Sequence, residues 1–168
     1  MKQLYFVRHG ESEANLQRVF AGQMDTPLTN KGRTEARTAS ESLKNQHFDL
    51  IVSSPLVRAH ETAQIIAHKI GYSMGSIIVS DIFKEHYIGD LAGKSWDEYD
   101  EFDSRISNME SYDDLQERAK KGLKFLESRP EDTILLVGHG SFVRHLRTAI
   151  DPTQEYTEPK NAEVIKLI

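Results

Sequence analysis

The chain has 168 residues, 38% of them hydrophobic and 28% charged, with no cysteine and a formal net charge of -5. That length suits one domain able to bury roughly 70% of its unfolded surface, and the composition is that of a globular chain rather than a disordered one. The lack of cysteine excludes disulfide scaffolds, thiolate metal sites and cysteine nucleophiles, and the acidic balance argues against a nucleic-acid or anionic-membrane surface.

Met1-Lys2-Gln3 is followed by only four apolar residues, too few for a signal peptide or a membrane span, so a soluble, cytoplasmic protein is expected. Leu4–Val7 reads as a short buried strand that stops at Arg8-His9-Gly10. On their own those three residues make an ordinary strand-end turn. A short helix is expected over Ser12 to about Phe20, then a loop with Gly22, Asp25 and Pro27. Thr29 is an N-cap for a helix over about Asn30–Asn45, with Ala36, Ala39 and Leu43 on one face. Phe48–Ser54 is a second strand, ended by Pro55. An amphipathic helix follows with Ala59, Thr62, Ile65, Ile66 and Ile70 inward, stopped by Gly71. Ile77–Ser80 is a third strand. From Ile82 to Met109 the chain is polar and loop-like, with a short helix near Trp96–Phe102. Ser111 with Asp114 resembles a capping box opening a helix through Leu115, Ala119, Leu123 and Leu126. "TILLVGHG" is the clearest buried strand, and a helix from Ser141 to Ile150 and a last strand, Glu163–Ile168, complete the chain.

Strands alternating with helices predict an α/β fold: a mainly parallel sheet covered on both faces, with ligands beyond the carboxyl ends of its strands. The first strand ends in Arg8-His9-Gly10. The second ends in Ser53-Ser54-Pro55, with Arg58 on the next turn, and the fourth in Gly138-His139-Gly140. Two arginines and two histidines thus converge on one sheet edge.

Arg8 and Arg58 supply planar forks suited to phosphate oxygens, and Asn15 with the amides near Gly10 and Ser12 adds neutral donors. A neutral imidazole at His9, kept uncharged by the two guanidinium groups, is a nucleophile toward phosphorus. Gly10 is expected to leave room for the phosphate and a tight turn. The leaving alkoxide needs a proton, and a carboxyl beside a phosphate dianion holds one near neutrality. Glu85, after the third strand and before a glycine-bearing loop, is the choice by position, with Asp81, Asp90 and Glu110 as rivals.

With these residues in place, the chain resembles the histidine phosphatase superfamily, which includes phosphoglycerate mutases and many small phosphatases. The resemblance lies in "RHGESEAN" (Arg8–Asn15), "GQMDTPLTNKGRTEA" (Gly22–Ala36), "SSPLVRAHETA" (Ser53–Ala63), "EHYIGDLAG" (Glu85–Gly93), "ESYDDLQER" (Glu110–Arg118) and "GHG" (Gly138–Gly140). These blocks stand in family order over almost the whole chain. The resemblance implies a phosphoglycerate mutase-like three-layer α/β/α sandwich, as one domain over 1–168 with a short lid at about 84–110. It implies His9 as the phosphorylated nucleophile, Arg8, Arg58 and His139 as the phosphate pocket, and Asn15 as a further phosphate contact. Glu85 is implied as proton donor, and Gln23, beside Gly22, as a substrate contact. No metal or organic cofactor is required by that chemistry.

The family's mutases carry an arginine directly after the acid glutamate, and an aromatic and a lysine further along. Here the corresponding positions are His86, Ile88 and Trp96, and between Lys94 and Glu110 the only other cation is Arg105. A glycerate carboxylate would lack its clamps, and a short lid admits water to a phosphoenzyme. Hydrolysis of a small phosphomonoester is therefore expected, ahead of mutase-type transfer or a non-catalytic phospho-ligand domain. The substrate could be a sugar phosphate, a nucleotide, a cobalamin-precursor phosphate or a phosphorylated side chain. His47, His60, His68, His86 and His145 show no i, i+4 metal spacing, and no metal is expected. Trp96, with Tyr87, Tyr99 and Phe102, either lines the substrate mouth or forms a satellite apolar cluster. An exposed final strand would offer an edge for a homodimer.

Overall fold

The computed structural model describes all 168 residues. In chain order the elements are β1 (Gln3–Arg8), α1 (Glu13–Gln17), α2 (Asn30–Leu43), β2 (Leu50–Ser53), α3 (Val57–Ile70), β3 (Ile78–Val79), α4 (Tyr112–Glu127), β4 (Thr133–Gly138), α5 (Gly140–Ile150) and β5 (Val164–Lys166). One sheet runs β3-β2-β4-β1-β5. Its first four strands are parallel, and β5 pairs antiparallel with β1 at the edge.

The sheet is apolar on both faces, as a parallel sheet between helices must be. Along β4 the side chains alternate between two cores. Ile134 and Leu136 join Leu4, Phe6, Leu50 and Val52 beneath α4 and α5, while Leu135 and Val137 join Val7, Ile51, Ala63 and Ile66 beneath α2 and α3. The architecture is therefore the expected three-layer α/β/α sandwich. Each fully buried Leu, Ile or Phe contributes about 1.5–3 kcal/mol, and these two cores fix the strand register.

Helix starts follow their caps. Thr29 accepts from the Gly32 amide (3.0 Å) at the head of α2, and Ser111 accepts from the Asp114 amide (3.1 Å) at α4. The Ser111–Asp114 capping box is half made, because Asp114 bonds the Ser111 hydroxyl. α3 has no capping side chain of its own; Asp25, from the loop after α1, accepts from the Val57 amide at 2.9 Å.

Three expected elements differ. α1 stops at Gln17, short of Phe20, because Arg18 takes a left-handed conformation (φ 56°) and closes the helix. The helix expected near Trp96–Phe102 is a series of turns. There Ser95, Asp100 and Asp103 side chains accept the amides of Asp97, Phe102 and Arg105, the local competition that disfavours helix. The last strand is also shorter, covering only Val164–Lys166. No helix is long and apolar enough to cross a membrane.

Candidate active site

Pairing of β1 with β4 sets Arg8 opposite Gly138, and pairing of β2 with β4 sets Ser53 opposite Val137. The ladder continues one residue further, through His9 N–H to the Gly138 carbonyl (3.0 Å) and Ser54 N–H to the Val137 carbonyl (3.1 Å). The three chain segments that leave the sheet here therefore carry Arg8-His9, Ser54 with Arg58, and His139 to one place.

His9 is 4% exposed. Its Nδ1 lies 2.7 Å from the Gly10 carbonyl, and a carbonyl can only accept, so Nδ1 carries the proton. Nε2 is then a bare lone pair, and the Arg58 Nε–H points at it from 3.2 Å. Burial first, then the Arg58 and Arg8 charges, hold this imidazole well below its ordinary value of 6.5, against the opposing Gly10 bond. Arg58, on the core face of α3 and 1% exposed, is fixed by the Met24 (2.8 Å) and Gly22 (2.7 Å) carbonyls. His139, fully buried, stands behind His9 with ring centroids 5.3 Å apart, and its Nε2 meets the Ser54 hydroxyl at 2.8 Å. Burial, then Arg58, depresses His139 in the same direction.

Arg8 is held from the far end of the chain. Its Nη1 donates to the Pro159 carbonyl (2.7 Å) and pairs with Glu158 (2.8 Å), while its Nε is buried without a protein partner. Glu158 lines the cavity, a carboxylate beside Arg8 that nothing in the local sequence signals.

Glu85 lies across the cavity. Its carboxyl oxygens accept from the Ser141 (3.2 Å) and Phe142 (3.0 Å) amides in the first turn of α5, and from His86 N–H (2.9 Å). The three rival acids are elsewhere: Asp81 pairs with Lys84 at the surface, Asp90 accepts from Ser107, and Glu110 pairs with Arg118 at 2.6 Å. Burial, the largest influence, would raise Glu110, but the Arg118 bonds and charge, with the Tyr87 amide and His86, together hold it below its ordinary value.

About 390 Å³ of cavity lies between these groups, lined among others by Arg8, His9, Asn15, Arg58, Glu85 and Trp96. Asn15 serves twice. Its Oδ1 accepts from Ser12 N–H (3.0 Å), completing the capping box of α1, which leaves its Nδ2 donors without a protein acceptor at the cavity wall. Gly22 also lines the cavity at φ +49°, and a Cβ there would overlap Ile88. Gln23 does not line it: its Nε2 donates to the Glu85 backbone carbonyl at 2.9 Å. The expectation for Gly10 is corrected, because an added Cβ would run into the Gly32 carbonyl of α2; the glycine makes room for a helix backbone, not for a phosphate. Of the four aromatics, Trp96 alone reaches the wall, packed edge-on against Phe20 (6.3 Å). Tyr99 sits under Lys94 and Arg105, Phe102 packs at a tilt against Tyr112, and Tyr87 is exposed.

Comparison with known proteins gives a consistent result. A family profile described as the histidine phosphatase superfamily (branch 1) matches residues 4–164. The chain is 37% identical over 168 aligned positions to a Bacillus subtilis protein named uncharacterized phosphatase PhoE, covering 96% of this chain and 86% of that one. Among solved structures it is similar to a mycobacterial glucosyl-3-phosphoglycerate phosphatase in complex with VO3, with a TM-score of 0.86, 26% identity, and 99% and 92% of the two chains covered. It is also similar to Bacillus stearothermophilus YhfR, with a TM-score of 0.86, 28% identity, and 99% and 90% covered.

Proposed function

The chain belongs to the histidine phosphatase superfamily and is a histidine-type phosphatase, and on that premise we propose that it hydrolyses a small phosphomonoester in two steps through a phosphohistidine on His9, with Glu85 as proton donor. The observation that carries this reading is the clamp on His9: a proton fixed on Nδ1 by the Gly10 carbonyl, and a lone pair on Nε2 beside a guanidinium.

The phosphoryl oxygens take the unspent donors of Arg8 and Arg58 and the Asn15 amide. Arg58 Nε, now directed at the His9 lone pair, turns to a phosphoryl oxygen as Nε2 attacks phosphorus in line. The bond from phosphorus to the ester oxygen breaks with its electron pair on that oxygen, which takes the Glu85 proton. In the second step Glu85, now a carboxylate, removes a proton from a water that attacks the phosphohistidine. Inorganic phosphate leaves and His9 is restored. His139, covered behind His9, backs the nucleophile with a second uncharged ring.

Hydrolysis is favoured over mutase-type transfer by the cavity's charge. Its only cations are Arg8 and Arg58, and the wall beyond them carries His86, Ile88 and Trp96 together with Glu101 and Glu158. A glycerate carboxylate has no partner there. The short lid at 84–110 leaves water access to the phosphoenzyme. Sugar phosphates, nucleotides, cobalamin-precursor phosphates and phosphorylated side chains remain the substrate classes for an unbiased phosphatase panel.

Hydrolysis of p-nitrophenyl phosphate at mildly acidic pH tests the reading. His9→Ala is expected to lose about 10³-fold or more in kcat. An unaffected variant, or bisphosphoglycerate-dependent mutase flux above hydrolysis, would contradict it.

A further inference from the structure

One arginine lies on the core face of α4. Arg118 is three residues after Leu115 and directly before Ala119, both fully buried, so helical spacing turns it inward. Its side chain is 18% exposed and lies over the Phe142 ring of α5 at 5.2 Å. All five of its N–H donors have protein acceptors. Nη1 donates to the carbonyls of Ile82 (3.0 Å) and Lys84 (2.6 Å). Nη2 donates to the Glu85 carbonyl (3.1 Å) and to Glu110 Oε2 (2.6 Å). Nε donates to Glu110 Oε1 at 2.8 Å.

Arg118 therefore has no donor to offer a substrate. What it grips is the backbone that delivers Glu85. The segment from Ile82 to Glu85 leaves a 3-10 turn (Asp81–Phe83) and runs on as coil, with no sheet ladder of its own to fix it. The Glu85 carbonyl accepts from both Arg118 and Gln23, so each of its lone pairs is occupied. On the other side of the residue, the α5 amides receive the carboxylate. A lysine could not reproduce this, because only a planar fork of five donors spans three carbonyls and a bidentate carboxylate.

We propose that Arg118 is a positioning residue for proton donation, holding Glu85 at the distance where the leaving oxygen takes its proton. The inference rests on Glu85 being the acid, as proposed above. It has a signature that a merely structural role lacks. An alkoxide leaves only if it receives a proton as its bond to phosphorus breaks, whereas a dinitrophenolate leaves with its electron pair unprotonated. Loss of positioning is thus selective for poor leaving groups.

The test compares kcat/KM, which reports steps up to phosphorylation of His9 and not the later hydrolysis, for 2-glycerol phosphate and 2,4-dinitrophenyl phosphate. Glu85→Gln should lose about 10²-fold or more on the alkyl ester and only a few-fold on the aryl ester. Arg118→Met should show the same pattern, about 10- to 100-fold against under about threefold, and should add nothing on the alkyl ester when combined with Glu85→Gln. If Arg118→Met fails to fold, Glu110→Gln, which keeps Arg118 but weakens its bidentate anchor, should show the selective loss at smaller size. Equal losses on the two esters, or none, in the Arg118 or Glu110 variant while Glu85→Gln stays selective would overturn the positioning role alone. Equal losses in Glu85→Gln would overturn both the acid assignment and this inference.

Discussion

Two halves of the cavity are built differently. On one side Arg8, His9, Ser54 and His139 leave the ends of three hydrogen-bonded strands, and Arg58 stands on the first turn of the helix after one of them. Sheet register positions these groups, and burial sets their charge state. On the other side Glu85, His86, Trp96, Glu101 and Glu158 come from coil and turns. There the backbone is held by side chains: Arg118 and Gln23 on Glu85, and Glu110 on Arg118. The proposed nucleophile and phosphate cradle thus sit where sheet register fixes them, while the proposed acid and its neighbours belong to segments that can vary without disturbing the sheet.

The contrast breaks most severely on the strand side. Arg58→Met should lower kcat/KM by about 10²- to 10³-fold, since it removes donors that buried contacts hold ready for the phosphoryl group. It also removes a charge that depresses His9, so the His9 imidazole should move back toward its ordinary value, which an NMR titration of that ring would read. An unshifted ring would mean that burial and Arg8 hold it neutral without Arg58.

pH separates the halves next. His9 and His139 are both depressed below 6.5 in the folded protein, so the unfolded chain binds more protons below that value. Stability from these two rings is fully present above about pH 6.5 and declines as pH falls beneath it. Denaturant midpoints measured from pH 7 to pH 5 should therefore fall, and less so in His139→Gln. Activity, by contrast, should persist below pH 6, because His9 stays unprotonated there. An acid limb that follows an ordinary imidazole would refute the depressed value.

The smallest effect lies where the halves touch. Glu158, 60% exposed, pairs with Arg8 and competes with a phosphate for it. Glu158→Gln should tighten inhibition by inorganic phosphate about two- to fivefold, the size of a surface ion pair. Weaker inhibition would mean that the carboxylate orients Arg8 rather than opposing the ligand.

The same division decides what the sequence discloses. Continuous apolar runs such as Ile134–Val137 reveal their strands, and strand ends reveal the residues of the proposed cradle, because register makes neighbours of residues far apart in sequence. Glu85 follows from position and family resemblance, since nothing in a polar loop marks one carboxylate above another. Glu158 and Ser54 act on residues 150 and 85 positions away, Arg8 and His139, through contacts without periodicity. Arg118 did leave a trace: like Arg58 beside Ala59 and Thr62, it is a charge on an otherwise apolar helix face. A cation at a core position announces a buried acceptor set, and both arginines proved to have one. The helix expected near Trp96–Phe102 is replaced by turns because Ser and Asp side chains there take the amides.

The most direct test of the central claim is rapid mixing of the protein with a ³²P-labelled ester that it turns over, quenched in alkaline detergent and followed by peptide mapping at alkaline pH. The account predicts label on His9, stable in base, labile in acid, and absent from His9→Ala. Sustained turnover by the unmodified protein with no label on that imidazole, at times shorter than one catalytic cycle, would contradict it.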